Sequence, residues 1–189
     1  FRDGNVTALV WDLNTKKNTY NLSGDFKYSY INDVEDKKGI NSQLNFSETS
    51  GKYRYGFGAN VATKDFDNND LGINFETNYY SLYGNTSYRI LNPTKVFNSF
   101  NAYLNLYSQF QKETGKIQSS NINFEINSKN KKNHFFGIGI DANPLETFDY
   151  YEPRTADRYV IKPTKIGGYI YVSTNYNNSF AIDVNPSYA

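Results

Sequence analysis

Residues 20–30 read YNLSGDFKYSY, and apolar and polar side chains alternate along the whole stretch. Its even positions are aromatic, aliphatic or glycine, from Tyr20 to Tyr30, and its five odd positions are all polar. A period of two residues is typical of a β-strand with one apolar and one polar face. The run containing it covers about 13 to 14 residues, whereas strands of soluble sandwiches usually cover about 4 to 8. We therefore predict an unusually long β-strand here.

The same alternation recurs along the chain, in runs separated by turn-forming residues. The clearest further runs are residues 53–61 and 100–110, and weaker ones cover residues 40–46, 122–126, 136–140, 166–176 and 180–184. No stretch shows the 3.6-residue period of an amphipathic helix. A one-residue phase shift between residues 71–75 and 80–90 fits either two strands or one strand with a β-bulge. The sequence thus predicts an all-β, antiparallel chain of about ten strands.

If residues 71–90 form one bulged strand, successive connections alternate between two ends of the sheet. One end carries mostly short turns, and the other carries the longest loops, above all residues 142–163. This asymmetry is typical of outer-membrane barrels, and a tilted strand of this length rises about 30 Å, enough to cross their apolar band of about 25 Å. We predict a segment of a larger antiparallel transmembrane β-barrel in the bacterial outer membrane, with its lipid as partner. The alternative is a soluble β-sandwich or curved sheet that binds glycans or proteins through exposed Tyr and Asn.

The composition excludes several classes of protein. The 20 Lys and Arg balance 19 Asp and Glu, so the basic excess of a nucleic-acid-binding protein is missing and we expect no nucleic acid partner. The chain has no Cys, which excludes disulfides and thiolate metal sites. Its longest apolar runs, residues 8–11 and 169–172, are far shorter than the roughly 18 residues that a transmembrane helix needs.

Several motifs resemble one known family. They are DNNDLG at residues 67–72 after KYRYGFG at residues 52–58, FGIGI at residues 136–140, and YYEPR at residues 150–154 followed by Arg158 and Tyr159. Together they resemble the C-terminal region of the domain of unknown function 5916 of Gram-negative bacteria, over nearly the whole chain. The resemblance implies an outer-membrane β-barrel preceded by a carbohydrate-binding module of the family 9 type, and it implies no reaction. Where the family leads us to expect an aromatic after Arg154, the chain has Thr155 and Ala156.

One stretch has the spacing of a calcium-binding loop. Its candidate oxygen ligands are Asp65, Asp67, Asn69 and Glu76. Asp70 stands where such a loop requires glycine, and we expect no flanking helices, so we interpret the stretch as a solvated turn.

No set of residues predicts catalysis. His134 is the only His, and a zinc site or a Ser-His-Asp triad would depend on it without a visible partner. The glycine pairs at residues 56 and 58 and at residues 137 and 139 lie within strands, where glycine permits close backbone approach. We therefore expect no enzymatic activity, no catalytic residue, no cofactor and no metal.

The loop at residues 142–163 is the one candidate functional segment. It is rich in bulky aromatic residues, which bury about 150 to 250 Å² each and so favour packing into the mouth of the barrel or onto neighbouring loops. We predict that it constricts the opening through Arg154, Arg158, Glu152 and Tyr151, with one of the arginines paired to a carboxylate inside the barrel. The alternative is an exposed loop whose aromatics contact a glycan or a protein partner.

The strand-like pattern begins at Asn5 and continues to Tyr188, and the chain has no Met. We interpret residues 1–189 as part of one outer-membrane β-barrel domain of a longer protein. Its expected function is that of a membrane anchor, a pore or an assembly scaffold, linked to glycan handling through the upstream module.

Overall fold

The computed structural model describes residues 3–69, 76–155 and 157–188. Within these ranges the regular structure is entirely β, as the alternation predicts, and no helix is long and apolar enough to cross a membrane. The strands are β1 (Asp3–Asn14), β2 (Tyr20–Asn32), β3 (Lys37–Glu48), β4 (Tyr53–Ala62), β5 (Tyr79–Ile90), β6 (Phe97–Gln111), β7 (Ile117–Asn130), β8 (Phe135–Asn143), β9 (Thr147–Asp149), β10 (Val160–Lys162), β11 (Lys165–Ser173), β12 (Asp183–Val184) and β13 (Ser187–Tyr188).

The long strands form one antiparallel sheet in which neighbours along the chain are neighbours in space. Strands β1 to β8 follow one another in order, β11 pairs with β8, and the short strands β12 and β13 both pair with β11. A separate hairpin of β9 and β10 lies in the connection between β8 and β11. The sheet is open within the described residues, since β1 pairs there only with β2. The predicted antiparallel all-β architecture is therefore present, and the part of the sheet that the structure describes is not closed into a barrel.

The connections alternate between two ends of the sheet. We call the end with residues 15–19, 49–52, 91–96, 131–134 and 174–182 the turn end, and the end with residues 33–36, 63–78, 112–116 and 144–164 the loop end. The predicted asymmetry is present, because the two longest connections both lie at the loop end. Residues 70–75, on which the choice between two strands and a bulged strand depends, lie outside the described residues, and β5 begins only at Tyr79.

The two faces of the sheet have the reverse of the usual burial. One face, which we call the apolar face, carries large side chains that are exposed: Leu22, Phe26, Leu44, Phe57, Leu82, Leu106, Phe124, Ile138 and Ile170. The other, the polar face, carries Asp25, Ser29, Ser81 and Gln109, all of which are buried. Ser29 and Ser81 are 0% and 1% exposed, against 58% and 53% for Phe57 and Leu82. A soluble protein ordinarily buries its apolar side chains and exposes its polar ones.

Two tyrosines cross glycines on the polar face. Tyr169 and Tyr171 of β11 are the register partners of Gly139 and Gly137 of β8. A Cβ atom at Gly137 would lie 2.1 Å from the Tyr171 ring, and one at Gly139 would lie 2.3 Å from the Tyr169 ring. The glycines therefore leave room for an aromatic ring to lie over the strand, which agrees with the structural role predicted for this pair.

Candidate functional site

Carboxamide side chains form rows across the polar face. Cross-strand register places Asn85, Asn105, Asn123 and Asp141 side by side on β5 to β8. Asn105 Nδ2 donates to Asn123 Oδ1 at 3.2 Å. Two rows further towards the turn end, beyond the row of Tyr103 and Glu125, Asn101 Nδ2 donates to Asn127 Oδ1 at 3.0 Å. These rows give the face many hydrogen-bonding groups and little net charge.

A carboxylate anchors these rows. Glu125 of β7 accepts hydrogen bonds from the Tyr169 hydroxyl and, at 3.1 Å, from Asn127 Nδ2. Tyr103 of β6 is the register partner of Glu125 on its other side. Asn127 in turn receives the bond from Asn101, so a chain of donors ends on Glu125. The negative charge is thereby satisfied within the sheet, and the amide groups around it are held in one orientation.

At the loop end, Tyr151 joins the 144–164 connection to the rest of the protein. Its hydroxyl donates to the Thr77 carbonyl oxygen at 2.7 Å and lies 3.5 Å from Gln118 Oε1. Gln118 accepts a 3.0 Å bond from Gln109 of β6, and both glutamines are buried. Burial raises the pKa of the Tyr151 phenol, which stays protonated and able to donate at neutral pH. Tyr151 therefore ties both long loop-end connections to the polar face.

Asp149 organises the tip of the β9–β10 hairpin. Its Oδ2 accepts a 2.5 Å bond from Lys162 Nζ, and its Oδ1 accepts bonds from the backbone N–H groups of Tyr151 at 2.9 Å and Glu152 at 3.1 Å. Burial opposes the charge on Asp149, but the bond from Lys162 and the two backbone donors outweigh it and lower the pKa of the carboxyl group. The ionised carboxylate thus closes both the hairpin and the turn that follows β9.

An aromatic cluster holds the other side of the hairpin. Phe148 and Tyr150 each lie with their ring centres 5.3 Å from that of Tyr159. Lys116 Nζ, from the 112–116 turn, lies 4.9 Å from the ring centre of Phe148 and 4.3 Å from that of Tyr159. These distances permit cation–π attraction between the ammonium group and the two rings. The aromatics of this loop therefore pack onto a neighbouring turn, one of the two arrangements that the sequence predicts.

The start of the 63–78 connection, at Phe66 and Asp67, also lies on the polar face. Phe66 is buried, and a Cβ atom at Gly39 of β3 would lie only 2.1 Å from its Cα atom. The Asp67 backbone N–H donates to the buried Ser29 hydroxyl at 3.0 Å. At the loop end, the polar face is therefore covered by segments of both long connections.

Residues of these connections line two cavities. One, of about 790 Å³, is lined by Glu76, Asp149, Tyr150, Tyr151, Glu152, Arg154 and Thr155. The other, of about 410 Å³, shares Glu76, Asp149 and Tyr151 with it and continues to Gln109, Gln118 and Lys162. Among the four residues predicted to constrict the opening, the structure brings Tyr151, Glu152 and Arg154 to the first cavity. Arg158 is exposed and does not line either cavity.

Within the described residues neither Arg154 nor Arg158 forms an ion pair, and the contact between an arginine and a carboxylate inside the barrel stays a prediction. Arg154 and Arg158 are both exposed, and the ion pair that the described residues form in this loop is the one between Lys162 and Asp149. Whether the four residues restrict a pore stays a prediction.

The remaining sequence candidates have structural contacts. His134 Nδ1 accepts a 3.1 Å bond from the Asn175 backbone N–H, which joins the turns at residues 131–134 and 174–182. Asp67 Oδ1 accepts bonds from the backbone and side chain of Asn69. In residues 3–69, 76–155 and 157–188, no three side chains of metal-ligating type come together. Asp70, at the sixth position of the calcium-like spacing, lies outside these ranges.

Comparison with protein families identifies the chain. The family model described as "Domain of unknown function (DUF5916)" matches residues 1–189. The chain belongs to the DUF5916 family. No curated protein and no solved structure matches it. The family resemblance predicted from the sequence motifs is thus confirmed, whereas an upstream carbohydrate-binding module and a C-terminal position of this region stay predictions.

Sequence reasoning missed several contacts that hold the loop end of this DUF5916 chain together. Lys116 and Lys162 are ordinary turn and loop lysines in the sequence, and only the folded chain brings them to Tyr159 and Asp149. Phe66 was a detectable signal, because it is a large apolar residue inside an otherwise polar turn cluster. Such a residue commonly marks a loop that packs back onto its own domain.

Proposed function

We propose that this DUF5916 chain forms part of a β-barrel in the bacterial outer membrane, with its apolar face towards lipid and its polar face towards the interior of the barrel. It serves there as a membrane anchor, a pore or an assembly scaffold. Further strands are needed to close the barrel, because the sheet is open within the described residues. In this arrangement the short turns lie on the periplasmic side and the loop end lies outside the cell.

The main observation behind this proposal is that side chains of the apolar face are exposed and side chains of the polar face are buried. A lone sheet in water loses the hydrophobic free energy of burying Phe57, Leu82 and their neighbours, which is about 1.5–3 kcal/mol for each large side chain. Hydrocarbon chains of lipid restore that burial. The polar groups on the opposite face stay hydrated or hydrogen-bonded to one another, as they do inside outer-membrane barrels.

Tyrosines on the apolar face support the same conclusion. Tyr20 and Tyr53 lie near the turn end, and Tyr53 is the register partner of Tyr88. Tyr28 and Tyr80 lie eight positions from Tyr20 and Tyr88 along β2 and β5, towards the loop end. At roughly 3.3 Å per residue each pair spans about 26 Å of strand, which a tilt of about 35–45° reduces to about 19–22 Å of height, slightly less than the outer-membrane apolar band of about 25 Å. Tyr in this position suits the two membrane–water interfaces.

The folded connections support a narrowed opening at the loop end. Tyr151 and Asp149 hold the 144–164 connection over the polar face, and Phe66 and Asp67 hold the 63–78 connection beside it. Arg154, Arg158, Glu152 and Tyr151 then border the remaining passage from the outside. A carbohydrate-binding module upstream would place glycans near this passage, as the family resemblance implies.

A second candidate is a soluble glycan- or protein-binding module. The open sheet favours it, since a second sheet from elsewhere in the protein could cover the apolar face as in a β-sandwich. Strand length weighs against it, because the principal strands are 9 to 15 residues long and sandwich strands usually have about 4 to 8.

The two candidate functions predict different behaviour when the protein is extracted from the cell envelope. We expect the protein to stay in the membrane pellet after a carbonate wash, to dissolve only with detergent, and to migrate faster on a gel before boiling than after it. Release as a monodisperse protein without detergent would contradict the membrane proposal and support the soluble module.

A further inference from the structure

A second concave site lies on the polar face, away from the loop-end cavities. It is a groove of about 400 Å³ towards the turn end, lined by side chains of β5, β6 and β7 that include Asn85, Arg89, Asn101, Tyr103, Asn105 and Asn127. Sites for small molecules commonly measure 300–1,000 Å³ and contain a few convergent polar groups. Among the described residues that line the groove, none is acidic. We call it the Arg89 groove.

Arg89 supplies the positive charge of this groove. Its Nε atom is buried and has no hydrogen-bond partner, although a guanidinium group has five N–H donors and is always charged. Glu125, which lies on the same face two strands away, already accepts hydrogen bonds from Tyr169 and Asn127. Because Nε itself is buried, a ligand in the groove reaches the guanidinium through its terminal N–H groups, which can hold a carboxylate by a two-bond, charge-assisted contact.

The asparagine side chains of the groove indicate which chemical groups the rest of the ligand carries. Asn101 donates to Asn127 and Asn105 donates to Asn123, so the carbonyl oxygens of Asn101 and Asn105 remain as acceptors on the groove. Side-chain amides that present donors and acceptors together match hydroxyl groups, which also do both. Tyr103 adds an aromatic side chain with an apolar body.

We propose that the Arg89 groove binds a sugar acid, through a contact of Arg89 with the carboxylate and of the asparagine amides with the hydroxyl groups. The site does not depend on a membrane, because the polar face carries it both in a barrel and in an open soluble sheet. Failure of sugar-acid binding and failure of the membrane proposal are therefore separate outcomes of separate measurements.

Isothermal titration of the purified whole protein that contains this chain, solubilised in detergent, tests the proposal with three probes. These are digalacturonate, its methyl ester, which is the same sugar without the charge, and inorganic phosphate. We expect saturable binding of digalacturonate and at least tenfold weaker binding of both other probes. Equal affinity for the methyl ester would overturn the role of the charge, and equal affinity for phosphate would overturn the assignment to a sugar.

Variants of two arginines provide a matched comparison. Arg89→Gln should weaken digalacturonate binding by at least about tenfold, because charge-assisted hydrogen bonds are lost. Arg54→Gln removes the same charge from the neighbouring strand, where Arg54 Nε donates to the Gly51 carbonyl oxygen. Arg54 does not line the groove, although its register partner Ser87 does, so this variant removes a nearby charge without a direct contact and should weaken binding clearly less than Arg89→Gln. Circular dichroism checks that both variants fold. Equal losses in the two variants, or no binding to the unmodified chain, would overturn the proposal.

Discussion

The hydroxyl group of Tyr169 donates a hydrogen bond to the carboxylate of Glu125 two strands away, and the side chain reaches that carboxylate by lying across Gly139. The contact links β11 to β7 over the top of β8. It depends on the missing side chain at residue 139, because any Cβ atom there would occupy the space of the ring.

Gly139→Ala should therefore destabilise the folded protein by about 1–3 kcal/mol, the usual cost of inserting atoms into a filled space. Gly84→Ala is the matched control, since Gly84 also lies within a strand but a Cβ atom there has its nearest neighbour at 3.8 Å. That control should be neutral or stabilising by about 0.5–1 kcal/mol. The free energy of unfolding in urea, measured in detergent micelles, gives both values. Equal effects of the two substitutions would show that the Tyr169 ring moves away at no cost.

The sequence predicts the strands of this protein, but it does not predict long-range contacts of this kind between them. Alternation over residues 20–30 predicts β2 because side-chain direction in a strand depends only on parity. The glycines at residues 137 and 139 indicate close approach, but only cross-strand register shows that Tyr171 and Tyr169 are the groups that approach them. Register depends on the pairing of whole strands, which no short motif contains.

At the loop end, too, the sequence predicts that a segment packs but does not predict which residues it contacts. The aromatic content of residues 142–163 predicts that this segment packs, and it does. Its partners could not be predicted, because Tyr151 bonds to Thr77 and Phe148 contacts Lys116, residues far away along the chain. Charge alone also does not decide which cation in the loop reaches an acid. The register partner of Asp149 is Val160, and the ion pair comes from Lys162, two positions further along β10. Pairing of Arg154 or Arg158 with a carboxylate inside a barrel stays a prediction.

Two adjacent positions on β6 test the orientation of the sheet. Leu106 is exposed on the apolar face and Asn105 is exposed on the polar face, near the middle of the strand. If the apolar face contacts lipid, Leu106→Arg should cost about 2–4 kcal/mol in a refolding titration into lipid vesicles, while Asn105→Arg should cost little. Similar costs at both positions would contradict a barrel with a polar interior.

The contacts of the 144–164 connection predict which residues hold it in place. Lys162→Met removes the ion pair with Asp149, and Tyr151→Phe removes the bond to Thr77, so each should speed proteinase K cleavage within residues 148–159. The double variant Arg154→Ala with Arg158→Ala should leave this segment resistant, because both side chains are exposed.

The same double variant tests the predicted constriction independently of loop stability. If Arg154 and Arg158 border the passage, their removal should raise the single-channel conductance in planar bilayers while the loop stays protease-resistant. Unchanged conductance would remove these two residues from the constriction. Rapid cleavage of the unmodified protein within residues 148–159 would show that the connection is not held over the polar face.

The β9–β10 hairpin should lose its ion pair in acid. The pKa of Asp149 lies below its ordinary value of 3.8 in the folded protein, although burial opposes the charge, because Lys162 and two backbone N–H groups bind the carboxylate. A lowered folded-state pKa means that this stabilisation is complete above about pH 4 and is lost as the pH falls through the folded-state pKa, where both states become protonated. Its size should be only about 0.5–1 kcal/mol, since Lys162 is largely exposed and water screens the pair.

The rate of cleavage by pepsin, which is active in acid, reports this loss of stability. Asp149→Asn keeps an oxygen that accepts from the backbone but cannot ionise, so it should speed cleavage within residues 148–159 by about two- to fivefold at pH 5, the factor that corresponds to about 0.5–1 kcal/mol. The ratio of the two cleavage rates should approach one below pH 3.8, as the unmodified carboxyl group takes up its proton. Glu152→Gln removes a neighbouring exposed carboxylate and should leave the ratio near one at every pH. A ratio for Asp149→Asn that stays constant or rises with acid would mean that the carboxylate does not hold the hairpin. The hydrogen bonds of Tyr151 and the aromatic cluster around Tyr159 would then hold the hairpin without it.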